Sequence, residues 1–220
     1  EGHGATIQRP DSASDFRLLA VSSSGDVYLK NVTLSGGYAY LYNPYSDGGN
    51  SYYYAGMGGG ILNLGWLALS DATILDNTAY SYYDSGMGGG IANLGTLIIS
   101  GSAIVGNTAT GQYGGGGGGV WSDDTLKILN STISGNRATG EYTSGGGIRS
   151  WGTLEIDNSQ VVYNAAAGYN AWGGGIRSSD YATITNSTVA GNIAGKGTQN
   201  GTAYGGGIEA ISGLAWRENG

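Results

Sequence analysis

Three glycines, an aliphatic residue and, sixteen residues further on, an asparagine form a frame that occurs five times in this chain. The aliphatic opener falls at Ile61, Ile91, Val120, Ile148 and Ile176, and the closing asparagine at Asn77, Asn107, Asn136, Asn164 and Asn192. A sixth opener, Ile208, follows Gly205-Gly206-Gly207. A fixed period of about 30 residues marks a stacked-repeat architecture, in which no unit buries its apolar face alone and neighbours bury it together.

Within a frame the aliphatic positions are the opener and the residues six, eight and thirteen further on, such as Ile91, Leu97, Ile99 and Ile104, or Ile148, Leu154, Ile156 and Val161. The six/eight pair is the alternation of a strand with one buried face, and no 3.6-residue apolar period competes with it. The 45 glycines recur in phase and read as turn positions. The expected fold is an all-β parallel solenoid of six to seven rungs, each 28–32 residues long and built from three short strands. Residues 1–220 form one domain: 1–37 a degenerate N-terminal rung or cap, 38–57 a long insertion, 58–204 five regular rungs and 205–220 an incomplete last rung. The recurrent asparagine is expected to take the left-handed conformation of a tight turn and, stacked from rung to rung, to form an amide ladder. Glycine before the opener allows positive φ and close backbone approach.

Gly-Gly-Gly-Ile combined with aliphatic-x-x-Asn (Ile74-Leu75-Asp76-Asn77, Ile104-Val105-Gly106-Asn107, Ile133-Ser134-Gly135-Asn136) resembles the repeats of right-handed parallel β-helices. It is similar to the Gly-Gly-Ala-Ile and Phe-x-x-Asn repeats of polymorphic outer membrane proteins and autotransporter passengers, within the pectate-lyase-like superfamily. The likeness spans residues 16–215 and departs in having Ile or Val where that family has Phe. It implies a right-handed parallel β-helix and is nearly silent on activity, since the superfamily includes lyases, tailspikes, adhesins and structural surface proteins.

Composition narrows the partners. A net charge of −7 with nine Lys and Arg argues against nucleic acid, which leaves a basic footprint. No stretch approaches the ~20 apolar residues of a membrane helix. The chain has no cysteine, hence no disulfide framework or thiolate metal site, and no cofactor or metal motif is expected. Glu1-Gly2-His3-Gly4 does not read as a signal peptide, so a secreted protein of this sequence is expected to be a processed or excerpted form.

The segments between each asparagine and the next glycine triplet vary, and insertions at one phase emerge along one edge of a solenoid. That edge carries Tyr38, Tyr40, Tyr42, Tyr45, Tyr52, Tyr53 and Tyr54 in the long insertion. Tyr80, Tyr82, Tyr83, Tyr113, Tyr142, Tyr169, Trp172 and Tyr204 follow in the later segments. Such rings supply rigid amphipathic contact area for a glycan or a neighbouring protein, or else pack on one another to order glycine-rich loops. A second column lies one residue after the openers: Leu62, Ala92, Trp121, Arg149, Arg177, Glu209. Two arginines a rung apart can hold a carboxylate or sulfate, with Trp121 and Trp151 near; the plainer reading makes Arg177 a surface neighbour of Glu209.

The carboxylates are scattered. Asp123-Asp124 is the adjacent pair, and no aligned column stacks two acids at the 5–10 Å separation a glycosidase uses. Asn31, Asn130, Asn186 and Asn200 match the N-glycosylation acceptor pattern; the first three sit at one turn phase, which leaves Asn200 as the better acceptor. The expected function is therefore a non-catalytic structural solenoid, extracellular or at the cell surface, that self-associates end to end into a filament or layer, with the tyrosine edge making contacts. The alternative is a carbohydrate-binding adhesin or tailspike-like module that contacts surface glycans. A polysaccharide lyase or hydrolase is the third reading.

Overall fold

Each strand pairs in parallel with its equivalents in the coils before and after it. The computed structural model describes residues 4–41, 54, 56–195 and 201–217, with side chains as far as residue 215. They form a helix-free β-solenoid of about seven turns. The opener sheet contains seven strands, from Leu19–Val21 through Ile61–Asn63, Ile91–Asn93, Val120–Ser122, Ile148–Ser150 and Ile176–Ser178 to Ile208–Ala210. A second sheet runs from Asp26–Lys30 to Leu214–Arg217, and a third from Ala5–Gln8 to Thr188–Ala190. The openers stack without slippage, Ile61 on Ile91, Val120, Ile148, Ile176 and Ile208.

The structure adds a fourth sheet to the three strands expected in each rung. The segments expected as loops are largely strands, including Tyr38–Leu41, Thr78–Ser81, Thr108–Gly111, Arg137–Ser144 and Ala165–Trp172, in a sheet of nine. Its inward position is Ala79, Ala109, Ala138 and Ala166, all 0% exposed. Alanine gives no apolar peak in the sequence, which is why this strand was invisible there. The N-terminal residues, irregular in sequence, are in register: Val27 pairs with Leu67, Leu29 with Leu69 and Leu34 with Ile74. Arg17 donates to the carbonyl oxygens of Tyr54 and Met57, tying the end of the long insertion to this first coil.

The interior is one continuous apolar column built from the four predicted positions; Ile91, Leu97, Ile99 and Ile104 are all 0% exposed. Each such side chain contributes roughly 1.5–3 kcal/mol on burial. Beside the column runs the asparagine ladder. The Asn107 Oδ1 accepts both the backbone N–H and the Nδ2 of Asn77, each at 2.9 Å. Asn136 accepts from Asn107 at 2.9 and 3.0 Å, Asn164 from Asn136 at 3.0 and 2.9 Å, and Asn192 from Asn164 at 2.8 and 3.0 Å. Each Nδ2 also donates backwards, as Asn136 does to the Ile104 carbonyl at 2.9 Å. One amide thus joins three coils.

These asparagines are not the left-handed residues. The residue before each is: Asp76, Gly106, Gly135, Tyr163 and Gly191 have φ between 52° and 66°. The expectation of a left-handed asparagine is corrected accordingly: its amide is held by the ladder, and its neighbour makes the turn. The glycine triplet fits the same device. Gly117 has φ 60°, a Cβ on Gly118 would meet the Gly146 carbonyl oxygen at 2.3 Å, and one on Gly119 would meet the Asn136 amide carbon at 3.0 Å.

Two further buried ladders had no sequence expectation. Asn63 donates to Asn93 at 2.7 Å and Asn93 to the Ser122 hydroxyl at 2.9 Å. The hydroxyls of Ser102, Ser131, Ser159 and Ser187 each accept the backbone N–H one coil earlier at 3.0 Å.

Asn136→Ala strands the donors of Asn107 and the Ile104 carbonyl in a dry interior, and is expected to cost about 2–4 kcal/mol. Lys127→Ala removes a surface ion pair of 2.7 Å to Glu155 and is expected to cost less than about 1 kcal/mol. Urea unfolding of the two variants measures both; equal losses would refute the ladder's weight.

Candidate functional site

The fourth sheet turns through the glycine triplet into the opener sheet, and two outward-facing columns meet across that corner. One is the residue just before each triplet: Met57, Met87, Gly116, Ser144, Trp172 and Tyr204, in register. The other is Leu62, Ala92, Trp121, Arg149, Arg177 and Glu209. Both change character along the axis. At the N-terminal end Met57, Leu62, Ala92 and Trp121 pack with Met87 and Leu94 into a second apolar cluster outside the main core. Further along, side-chain bulk gives way at Gly116. The nearest atoms to a Cβ there would be Ser144 Oγ and Trp121 Cδ1 at 3.6 Å and Arg149 Cγ at 3.8 Å, ordinary contact distances, and the position borders a hollow between the columns.

That hollow is a cavity of about 300 Å³ lined by Trp121, Arg149, Trp151, Tyr142, Ser144 and Ser85, with Arg177 at its side. Trp121 is buried and forms the floor, whereas Trp151 leaves half its surface in solvent. The Arg149 guanidinium carbon lies 4.2 Å from the Trp151 ring centre, and that of Arg177 4.9 Å from the Trp172 ring. Trp172 in turn stacks on Tyr142, at 6.4 Å and 9° between planes. Such contacts hold guanidinium planes in place without using their N–H groups.

The two arginines are not equivalent. Arg177 Nε lies 2.9 Å from Glu209 Oε2, the plain neighbour pair the sequence allowed, although the two atoms are not aligned as a hydrogen bond. Arg149 is 4% exposed, the one charged residue in the buried set, and its Nη1 meets no acceptor among the described residues. Burial foremost, and then the positive charge of Arg177, push the Arg149 guanidinium down to about 9, with Glu209 pulling the other way. It is protonated at neutral pH. The Arg177 guanidinium is also lowered by burial, against the pull of Glu209.

The tyrosine edge divides into three places. Tyr38 and Tyr40 with Tyr80 cover the first leg of the fourth sheet, Tyr40 stacking on Tyr80 at 5.4 Å and 17°. Tyr82, Tyr83, Tyr113 and Tyr169 are exposed near the bend, the first two edge to face at 4.6 Å. Tyr142, Trp172 and Tyr204 lie on the second leg, and of these Tyr142 lines the cavity. Tyr54 packs against the outer apolar cluster. Tyr42, Tyr45, Tyr52, Tyr53 and Asn200 lie outside the described residues. Asn31, Asn130 and Asn186 are exposed left-handed corner residues, and Asn130 Oδ1 accepts from Asn158 at 2.6 Å.

Ser85, Ser144 and Gly116 had no place in the sequence reading. Counting from the asparagine hides them because the variable segments differ in length. Counting back from the next opener aligns two of them, since Gly116 and Ser144 stand four residues before Val120 and Ile148. Comparison with known proteins assigns no family. No family model matches the chain, and neither a curated protein nor a solved structure matches it.

An unpaired buried cation destabilises the fold, so Arg149→Met is expected to raise stability by on the order of 1–4 kcal/mol at neutral pH. Burial holds the folded guanidinium near 9, well below its ordinary value in the unfolded chain, so below pH 9 both states hold the proton and the full cost is present. Above it the folded state releases its proton first, and the cost fades as the pH rises towards that ordinary value. Melting curves of both proteins between pH 7 and 11 should show the variant's advantage shrinking; a variant that melts lower at pH 7 contradicts the assignment.

Proposed function

We propose that this chain is a non-catalytic, extracellular β-solenoid module that binds carbohydrate in the aromatic groove beside its glycine corner. The observation that carries the reading is the cavity at Gly116, where a buried indole floor, an exposed indole wall and a tyrosine surround a hollow of small-ligand size. Sugar rings present flat C–H faces that rest on indole and phenol rings, while their hydroxyls take donors and acceptors such as Ser85, Ser144 and Tyr142. The same lining supplies cations, hydroxyls and π faces, and the nearest acid of the column, Glu209, is engaged with Arg177. That favours binding over acid–base cleavage. Tyr40 stacked on Tyr80 and the exposed Tyr82 and Tyr83 add further aromatic contact surface on the fourth sheet.

The lateral groove is what sets this solenoid apart from a plain stacking unit, and for that reason glycan binding stands ahead of end-to-end assembly into a filament or layer. Kinship with the pectate-lyase-like superfamily, and with the repeats of polymorphic outer membrane proteins, is proposed on the repeat frame alone.

The test is a glycan screen followed by titration of the wild type, Trp151→Ala and Gly116→Leu. Gly116→Leu fills the hollow from the sheet side and leaves the interior column alone. Both variants are expected to bind roughly tenfold or more weakly than the wild type, as for loss of a central aromatic contact. Undiminished affinity in both would remove the groove from the function, and release of oligosaccharides from a bound polymer would replace the binding module with an enzyme.

A further inference from the structure

The chain has 17 tyrosines, one phenylalanine and no cysteine, so its exposed rings are mostly phenols and no thiol competes with them for an oxidant. We propose that Tyr40 and Tyr80 are a site of oxidative cross-linking, at which a peroxidase and hydrogen peroxide form a dityrosine that staples two coils together. This modification goes beyond the glycan-binding reading and uses none of the groove residues.

Tyr40, in the strand Tyr38–Leu41, pairs in register with Tyr80 of Thr78–Ser81. Both side chains point outwards, because the neighbouring Ala39 and Ala79 take the inward position. Parallel pairing holds the two backbones about 4.7–4.9 Å apart. The rings stack with centroids at 5.4 Å and 17° between their planes, and Tyr40 is 39% exposed, which leaves it open to an oxidant. Beyond Tyr80 the column continues as Thr110 and Thr139, joined hydroxyl to hydroxyl at 2.7 Å. A radical on Tyr80 therefore has Tyr40 as its in-register phenol. Among the described residues the other stacked rings are Tyr142 and Trp172, which cannot give dityrosine. Of the two methionines, Met57 is buried and Met87 partly so.

The position gives the bond a structural consequence. Tyr40 stands where the chain enters the long insertion, and Arg17 holds the far end through the carbonyl oxygens of Tyr54 and Met57. A bond to Tyr80 fixes the near end to the following coil. In the reaction each phenol gives up one hydrogen atom, and the two phenoxyl radicals join ortho carbon to ortho carbon. The hydrogen on each of those carbons then moves to its own ring's oxygen through solvent, which restores both phenols. The net loss is two hydrogen atoms, and these reduce one hydrogen peroxide to two waters.

The test treats the folded protein, dilute enough to keep chains apart, with a haem peroxidase and stoichiometric hydrogen peroxide. The blue fluorescence of dityrosine and mass spectrometry of an Asp-N digest read the product. A monomer lighter by two hydrogens is expected, with fragments 26–46 and 76–83 linked and the bond placed on Tyr40 and Tyr80. Closing this loop should raise the melting temperature by roughly 4 °C or more. Tyr40→Phe and Tyr80→Phe keep a ring in the stack and remove the oxidisable hydroxyl, and each should lose the linked fragments. Tyr83→Phe should retain them.

Linked fragments that survive either Tyr40→Phe or Tyr80→Phe put the bond on other tyrosines and overturn the site. A link formed as abundantly in the urea-unfolded chain shows that the stack does not direct coupling, and refutes it equally. Linked multimers without a linked monomer, or no link at all, also overturn the proposal. A linked monomer that melts no higher than the untreated protein removes the staple.

Discussion

The fold depends on an amide that must satisfy hydrogen bonds in three coils at once. At 0–1% exposure, Asn77, Asn107, Asn136 and Asn164 have no water to fall back on, and each carries two N–H donors and a carbonyl into the interior. The ladder uses these groups by giving each Oδ1 from Asn107 onwards two donors from the coil before, Asn77 Oδ1 accepting the Gly37 N–H, and each Nδ2 from Asn77 to Asn164 an acceptor on either side, as at Asn107 with Ile74 and Asn136. That pattern closes only if successive asparagines sit at the spacing of paired strands, about 4.7–4.9 Å. The ladder therefore acts as a gauge. A coil slipped by one residue would leave buried amides unpaired as well as turning its aliphatic side chains outwards.

The glycine triplet follows from the same constraint. The third glycine is small because the Asn amide of its own coil lies against it, and the second because backbone carbonyls approach where a Cβ would stand. This explains why the frame runs from triplet to asparagine at constant length in five repeats while the segment after the asparagine varies. Between these points the chain is bound on both sides; beyond them the buried positions take small residues, such as Ala79 and Ser81, Ala138 and Thr143, or Ala166 and Ala171.

The inward-facing structure was legible in the sequence because every coil solves the same packing problem with the same residue types. Ile91, Leu97, Ile99 and Ile104 announce themselves by size and spacing, and the asparagine by recurrence. The fourth sheet was not legible: its inward residues are alanines and glycines, which carry no periodic apolar signal, and its strands lie where changing length suggested loops. The buried Ser102–Ser131–Ser159 ladder was hidden for a related reason, since serine after glycine or asparagine also reads as ordinary turn chemistry. The arginine column was visible, and the balance between its two readings was not. Sequence spacing places Arg149, Arg177 and Glu209 one coil apart in a row without saying which arginine the acid serves or how deeply the other is buried. That depends on Trp151, in the bend after one opener strand, and on the hollow left by Gly116, in the fourth sheet of a different coil.

A solenoid separates the residues that fold it from those free to acquire a function. Inward columns are held nearly constant from coil to coil, because a change in one disturbs the coils above and below. Outward columns meet no such demand, and here they run from Leu62 and Ala92 through Trp121 to Arg149, Arg177 and Glu209, a gradient from apolar to charged along one line. That drift follows the cover at each position: Leu62, Ala92 and Trp121 are buried in the outer apolar cluster, whereas Arg177 and Glu209 are partly exposed. Arg149 is the exception: the flanking columns bury it, no acid among the described residues meets its Nη1, and the stacked core carries the resulting loss of stability. A fold with several equivalent coils of apolar and amide contacts can tolerate one such defect locally, since each coil is supported by its neighbours on both sides. The defect lies beside the hollow at Gly116, between the Trp121 and Trp151 rings, where two outward columns from different sheets meet.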